Sequence, residues 1–311
     1  MTAASARRDV HLPLDPYRSR ASAEPEIVPR EDPVVYGHSG PLDARQLDHF
    51  DRNGFIALDG VLSAGELETL QAEARRLRTD RTDIDPETLI LEPSSQVLRS
   101  VFHIHEQSAL LRRLMHDARL VDIARQLLGD EVYIHQSRLN YKPGFDGKDF
   151  YWHSDFETWH IEDGMPRMRA FSMSIALTEN TEYNGPLMVM PGSHRHYVRC
   201  VGATPDDHYK QSLRKQEYGV PDHRSLEALF ERGGIVAPKG PAGTIVIFDA
   251  NIMHGSNSNI SPLPRSNIFV VYNAVSNRLT DPFGGVKPRP EFIAVRRQVT
   301  GIQPVRGALT A

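Results

Sequence analysis

The chain has a single cysteine, Cys200, among its 311 residues. An intrachain disulfide is therefore excluded, and the usage fits a reducing compartment. No apolar stretch is long enough to span a bilayer. No continuous apolar segment follows the Arg7-Arg8 pair either, so a signal peptide is not expected and the expected location is cytoplasmic. Positive charge is not in excess: the formal net charge is -4 and the isoelectric point about 6.4, which excludes an overall basic field for nucleic acid or anionic membrane. Internal repeats and low-complexity domains are absent as well. What is present is 40% hydrophobic residues at a mean hydropathy of -0.42, the composition of a soluble globular protein with material for a core.

Residues 1–40 carry prolines and scattered charge without apolar periodicity and read as a flexible tail, which leaves residues 41–311 as a single domain. The domain opens with helical patterns. One runs from Asp43 to Asn53 and stops at Gly54, and the strand Phe55–Leu58 follows it. Ser63 and Glu66 have capping-box spacing, after which Leu67, Leu70, Ala74 and Leu77 mark one helical face. Further helices are expected at Gln107–His116 and at Leu120–Leu128, the latter closed by Gly129. From Val132 the period becomes two, with a half-buried strand over Tyr133–Tyr141. Other strands are expected at Arg169–Leu177, Leu187–Met190, Thr244–Phe248 and Ile268–Ala274. The fold class is mainly β with flanking α-helices, and short strands closed into a barrel would enclose one ligand cavity. The polar stretch from His196 to Pro221 lies between barrel segments and is a candidate lid.

The chemistry concentrates in Asp149 to His160, an aromatic-rich run holding a His153-x-Asp155 pair. On an extended strand alternate side chains share a face, so both could reach one metal. His254 supplies a third candidate ligand, completing the two-histidine, one-carboxylate set that leaves positions open on Fe(II). A second His-x-Asp pair, His49 and Asp51, sits in the first amphipathic helix and reads as ordinary helix surface. His103, His105, His116 and His194 are expected to be structural or exposed. Of the 14 histidines only His254 has an arginine eleven positions later, Arg265, at the start of a β-rich run. A planar guanidinium beside a metal strand suits bidentate capture of a carboxylate.

The pattern His153-x-Asp155, His254 and Arg265 resembles the phytanoyl-CoA dioxygenase-like family of Fe(II)/2-oxoglutarate enzymes, and the uninterrupted WHSDFETWH with Glu162 to Pro166 resembles its ectoine hydroxylases. The resemblance covers roughly Asp43 to Arg297. It implies a double-stranded β-helix, or jelly roll, with Fe(II) on His153, Asp155 and His254. It implies 2-oxoglutarate and O2 as co-substrates, with Arg265, helped by Asn140 and Ser256, on the distal carboxylate. Ectoine would be hydroxylated to 5-hydroxyectoine with release of succinate and CO2. The carboxylate Asp155 favours hydroxylation, since related halogenases carry a small residue there. Trp159, Phe248 and Phe269 match the family's substrate-lining positions, an aromatic wall suited to a delocalised cation. Gln136 would meet the ring and Arg289 the carboxylate; the alternative is barrel core for Phe248 and Phe269 and a surface loop for Arg289. The family suggests a homodimer. Two alternatives stand beside this reading: a related 2-oxoglutarate hydroxylase of another small metabolite, and a jelly-roll metal-binding protein without turnover.

Overall fold

The computed structural model describes residues 15–92, 96–205, 207–213, 218–297 and 299–309. Strand β1 (Glu26–Pro29) comes first, followed by α1 (Ala44–Asn53), β2 (Phe55–Leu58), α2 (Ala64–Thr79), β3 (Leu89–Leu91) and β4 (Leu98–Phe102). Three helices complete this half: α3 (Ile104–Gln107), α4 (Ala109–Met115) and α5 (Ala118–Leu128). The second half is richer in strands, beginning with β5 (Val132–Lys142), β6 (Phe150–His153), α6 (Asp155–Thr158), β7 (Ala170–Ala176) and β8 (Leu187–Val189). It continues with β9 (His196–Arg199), α7 (Tyr209–Ser212), α8 (His223–Gly233), β10 (Ile245–Asp249), β11 (His254–Ser256) and β12 (Arg265–Ala274).

The helix boundaries follow their capping residues. Asp43 and Gln46 form a reciprocal box at the start of α1, Ser63 and Glu66 do the same for α2, and Gly129 in the left-handed region ends α5. The helix expected over Gln107–His116 is instead two short ones. Ser108, with φ -143°, leaves helical geometry and its hydroxyl accepts from Leu111 N to start α4.

Two antiparallel sheets make the barrel: a seven-stranded sheet ordered β2-β10-β7-β12-β5-β4-β3 and a three-stranded sheet ordered β6-β11-β8. The period of two sorts the side chains of the larger sheet. Ile245, Ile247, Ile268, Val270 and Tyr272 share one apolar cluster with residues of the helices, while Val246, Phe248 and Phe269 pack with Leu187 and Val189 of the small sheet. The helices thus cover one face, and the other looks into the barrel. This is the expected double-stranded β-helix.

In β5 the alternation changes phase. Val271 of β12 is paired with Gln136 and the next residue, Tyr272, with Ile134, so His135 is an extra residue, a β-bulge. Before it Val132 and Ile134 join the helix-side cluster; after it Leu139 does, and the even-numbered Gln136, Arg138, Asn140 and Lys142 line the barrel cavity. The bulge absorbs the extra residue, so the four polar side chains that follow it keep facing the cavity.

Two expectations from the sequence are corrected. The segment expected to be a flexible tail is, over residues 15–40, built onto the barrel: β1 pairs with β9, and Tyr17 is fully buried with its hydroxyl 2.8 Å from Asp32 Oδ2. The sequence hid this because its contacts come from single polar residues rather than from a periodic apolar face. Residues 1–14 lie outside the described residues. The candidate lid from His196 begins with β9, whose Tyr197 and Val198 are core residues, as is the free Cys200 after it. Those first residues are framework rather than lid; Asp206 and 214–217, in the same stretch, lie outside the described residues.

Candidate functional site

His153 ends β6 and stands directly opposite His254 of β11 in the antiparallel pairing, with ring centroids 4.2 Å apart. Asp155 does not share their strand geometry. The chain leaves β6 at Ser154, whose hydroxyl bonds Asn251 Oδ1 at 3.0 Å, and Asp155 is the first residue of α6. That turn, rather than strand alternation, brings the carboxylate back: its oxygens lie 3.7 Å from His153 Nε2 and 3.8 Å from His254 Nε2. The ligand atoms of the three buried residues fall within 4.8 Å of one another, and no other such group occurs among the described residues.

The surroundings prepare these atoms for a metal. His153 Nδ1 is 2.8 Å from Tyr151 O and His254 Nδ1 3.0 Å from Ile252 O, so each Nδ1–H has a backbone acceptor and each Nε2 lone pair is left for coordination. Burial, reinforced by His153, pushes the His254 pKa down to about 4, which keeps the ring neutral near pH 7. Burial opposes ionisation of Asp155, but His254, His153 and the Arg138 guanidinium outweigh it and hold the carboxyl below its usual range. Two imidazoles and a carboxylate fit Fe(II) and leave further positions open.

The cavity beside this triad is lined by Gln136, Asn140, Trp159, Ser256, Arg265, Phe269 and Arg289. Arg265 is buried with Nη1 3.1 Å from Asn267 Oδ1, and no acid lies at ion-pair distance among the described residues. Asn140 Oδ1 accepts from Ser100 Oγ at 2.8 Å. Gln136 donates to Ile293 O at 2.8 Å and accepts from Arg138 Nη1 at 2.6 Å. Arg289 is no surface loop: Asp163 engages its Nε at 2.7 Å and its Nη2 at 2.5 Å, fixing a buried guanidinium at the cavity wall. Phe248 is the exception. It is fully buried behind His254, ring centroids 5.1 Å apart, and is a core residue rather than a cavity-lining one. His49, the decoy, is exposed and packs on Phe55, and His194 is buried with Nε2 3.0 Å from Asp51 O, a structural residue as expected.

Sequence reasoning missed two cations on the cavity wall, Arg138 and Lys142. They occupy the same face of β5 as Gln136 and Asn140, so filling in that alternation between the two and extending it by one step would have found them. The Arg138 guanidinium lies 4.8 Å from the Phe269 ring centroid. Lys142 Nζ donates to Ser256 Oγ at 2.9 Å and Asn257 O at 2.5 Å, and its stem passes where a Cβ on Gly147 would sit. Burial, and then the Arg265 and Arg99 charges, push its pKa down to about 6.

A family profile described as phytanoyl-CoA dioxygenase (PhyH) matches residues 50–267. The chain belongs to the phytanoyl-CoA dioxygenase family. Its similarity to an ectoine dioxygenase of Sphingopyxis alaskensis is 60% identity over 298 residues, covering 95% of this chain and 97% of that protein. The crystal structure of EctD from S. alaskensis with 2-oxoglutarate and 5-hydroxyectoine superposes with a TM-score of 0.88 at 55% identity, covering 95% of this chain and 100% of that one. The structure of the same protein with bound Fe gives a TM-score of 0.86 at 54% identity and the same coverage. Among the described residues no helix of this family member is long and apolar enough to cross a membrane.

Proposed function

We propose that the protein hydroxylates ectoine to 5-hydroxyectoine, coupled to oxidative decarboxylation of 2-oxoglutarate to succinate and CO2 with O2. The observation that carries the reading is one cavity holding both a His-Asp-His group with open coordination positions and, without an acidic partner among the described residues, the buried guanidinium of Arg265. A metal site alone has no use for that second feature. Bound iron supplies the oxidative chemistry, and the protein supplies position and exclusion of water. His153, Asp155 and His254 hold the metal. Arg265 takes the distal carboxylate of 2-oxoglutarate, with Ser256 and Asn140 beside it and Lys142 as a second cation. Trp159 and Phe269 flank the delocalised cation of the substrate, Gln136 meets its ring, and Arg289, held by Asp163, offers its remaining nitrogen to the carboxylate. A cytoplasmic homodimer completes the reading, supported by the lone buried cysteine and by the family resemblance. Protein given ectoine, Fe(II), 2-oxoglutarate and O2 should yield a product one oxygen heavier, in step with succinate. Succinate formed equally without ectoine would point to another substrate, and no succinate at all would remove the enzymatic reading.

Lys142 gives the co-substrate a pH dependence. In the free protein it loses its proton above about pH 6. A dicarboxylate bound beside it favours the charged form, so binding above that pH takes up a proton and affinity falls as pH rises. Calorimetric titration of 2-oxoglutarate at pH 7.5, in buffers of different ionisation enthalpy, should register uptake approaching ~1 proton. Lys142→Met should abolish that uptake. Heat independent of the buffer in the unmodified protein would show that Lys142 does not sense the ligand.

A further inference from the structure

The helix that carries Asp155 has only four residues and runs straight into a π-turn over Trp159–Asp163. A helix so short has no stability of its own, so its direction is set by whatever grips it. Asp155, Thr158 and Trp159 line the cavity. The side chains between and after them meet residues 15–20, the start of the described chain. The Phe156 ring lies edge-on to Tyr17 at 5.2 Å, and His160 Nε2 is 3.1 Å from Asp15 Oδ2. Glu157 accepts from Ser19 Oγ at 2.6 Å and from Arg20 Nε and Nη2 at 3.0 and 2.6 Å. Arg20 then uses Nη1 to reach Glu162 Oε1 and Thr204 Oγ1, both at 2.7 Å.

This clamp is buried and closely fitted. The side chains of Arg20, Glu157 and Glu162 are 2%, 1% and 3% exposed. Arg20 itself adopts φ 56°, a left-handed conformation that costs energy for any residue but glycine, and its backbone N–H is tied to Cys200 O at 2.8 Å. Gly219 closes over the pair, since a Cβ there would overlap the Glu157 carboxylate and the Arg20 guanidinium. The network continues inward: Glu162 Oε2 is 4.0 Å from Arg289 Nε, and Arg289 is bound to Asp163.

We propose that Arg20 is a positioning residue which, by gripping Glu157 and Glu162 on either side of Thr158-Trp159, sets the aim of Asp155 and Trp159 into the cavity. Residues 15–20 are thereby a working part of the site although none of them lines it. The inference rests on the reading of His153, Asp155 and His254 as iron ligands and is independent of the identity of the substrate.

The test compares Arg20→Met, Arg20→Lys, Gly219→Ala and Asp155→Ala with the unmodified protein. Anaerobic Fe(II) titration, thermal melting and the ratio of succinate to hydroxylated product are measured on each. Arg20→Met should weaken Fe(II) binding by about tenfold and raise succinate per product, because a misaimed supporting residue costs on that scale. The KM for 2-oxoglutarate should stay nearly constant, since Arg265 stands on β12, outside the clamp. Arg20→Lys keeps the charge but loses the fork, so it should recover part of both effects. Gly219→Ala, which presses on the pair and also strains a backbone at φ 66°, should show the same signature more weakly, and Arg20→Lys, which keeps the buried charge, decides the matter if Arg20→Met fails to fold. A folded Arg20→Met with unchanged iron affinity and product ratio, whatever its melting temperature, would reduce Arg20 to a stabilising residue and overturn the proposal. Asp155→Ala separates the two failures: if it too binds Fe(II) normally, the ligand assignment is at fault and not the clamp.

Discussion

Asp155→Ala is expected to abolish turnover and to weaken Fe(II) binding by more than about a hundredfold, beyond the effect typical of residues that merely support a ligand. In the proposed site the carboxylate is the anionic member of the three-residue group found among the described residues. Its removal leaves two imidazoles beside the half-buried Arg138 guanidinium, a pairing that repels a dication. His153→Ala and His254→Ala should give the same loss of turnover. Each would also leave a backbone carbonyl, Tyr151 O or Ile252 O, without the donor it now has. His49→Ala, in the second His-x-Asp pair, should leave turnover near normal because that ring is exposed on α1. Succinate production and Fe(II) titration read both effects. Substantial turnover in any one of the three ligand variants would sink the assignment of that residue.

Arg265→Ala should raise the requirement for 2-oxoglutarate by about two orders of magnitude, the usual scale for taking one partner from a buried charge pair. Trp159→Ala should chiefly impair use of ectoine and leave the 2-oxoglutarate requirement close to normal. The split follows from location. Arg265 opens β12 next to Asn267, whereas Trp159 stands in the turn after α6 with its ring 5.1 Å from His135. Arg265→Lys should restore only part of the affinity, since an ammonium lacks the planar fork. Steady-state kinetics with each ligand varied in turn measures the split. Equal defects toward both ligands in both variants would refute the proposed division of the cavity.

Much of this was legible in the residues. The capping pair at Ser63, the stop at Gly54 and the change of period at Val132 marked elements that the structure contains. The triad could be read because a metal demands particular ligand types, and a spacing of about a hundred residues is no obstacle in a barrel that pairs β6 with β11. Other features were illegible for physical reasons. Phe248 and Phe269 have the same chemistry and the same strand setting, and only the three-dimensional packing puts one behind His254 and the other on the cavity wall. Arg289 in a Pro-rich stretch gave no hint of burial, because its partner Asp163 lies 126 positions away. Residues 15–32 looked like a tail because polar anchors such as Arg20, Arg30 and Asp32 leave no periodic trace.

The bulge at His135 makes β5 behave like a reading frame. Substitution there and deletion there are different events, although each removes the same imidazole. His135→Ala keeps the count of residues between Val132 and Gln136, so every later side chain stays on its own side of the sheet. Loss of the residue removes the bulge: Ile134 and Gln136 become neighbours opposite Tyr272 and Val271, and the side chains from Gln136 to Lys142 keep their faces. A one-residue slip of the strand that no bulge absorbs is what would drive Arg138 and Lys142 into the apolar layer and Leu139 into the cavity, at a cost of several kcal/mol for each unpaired polar group, against a total stability of about 5–15 kcal/mol. Length is therefore a stricter inheritance than identity along this strand except at the bulge, where one residue can be lost without moving any later side chain to the other face.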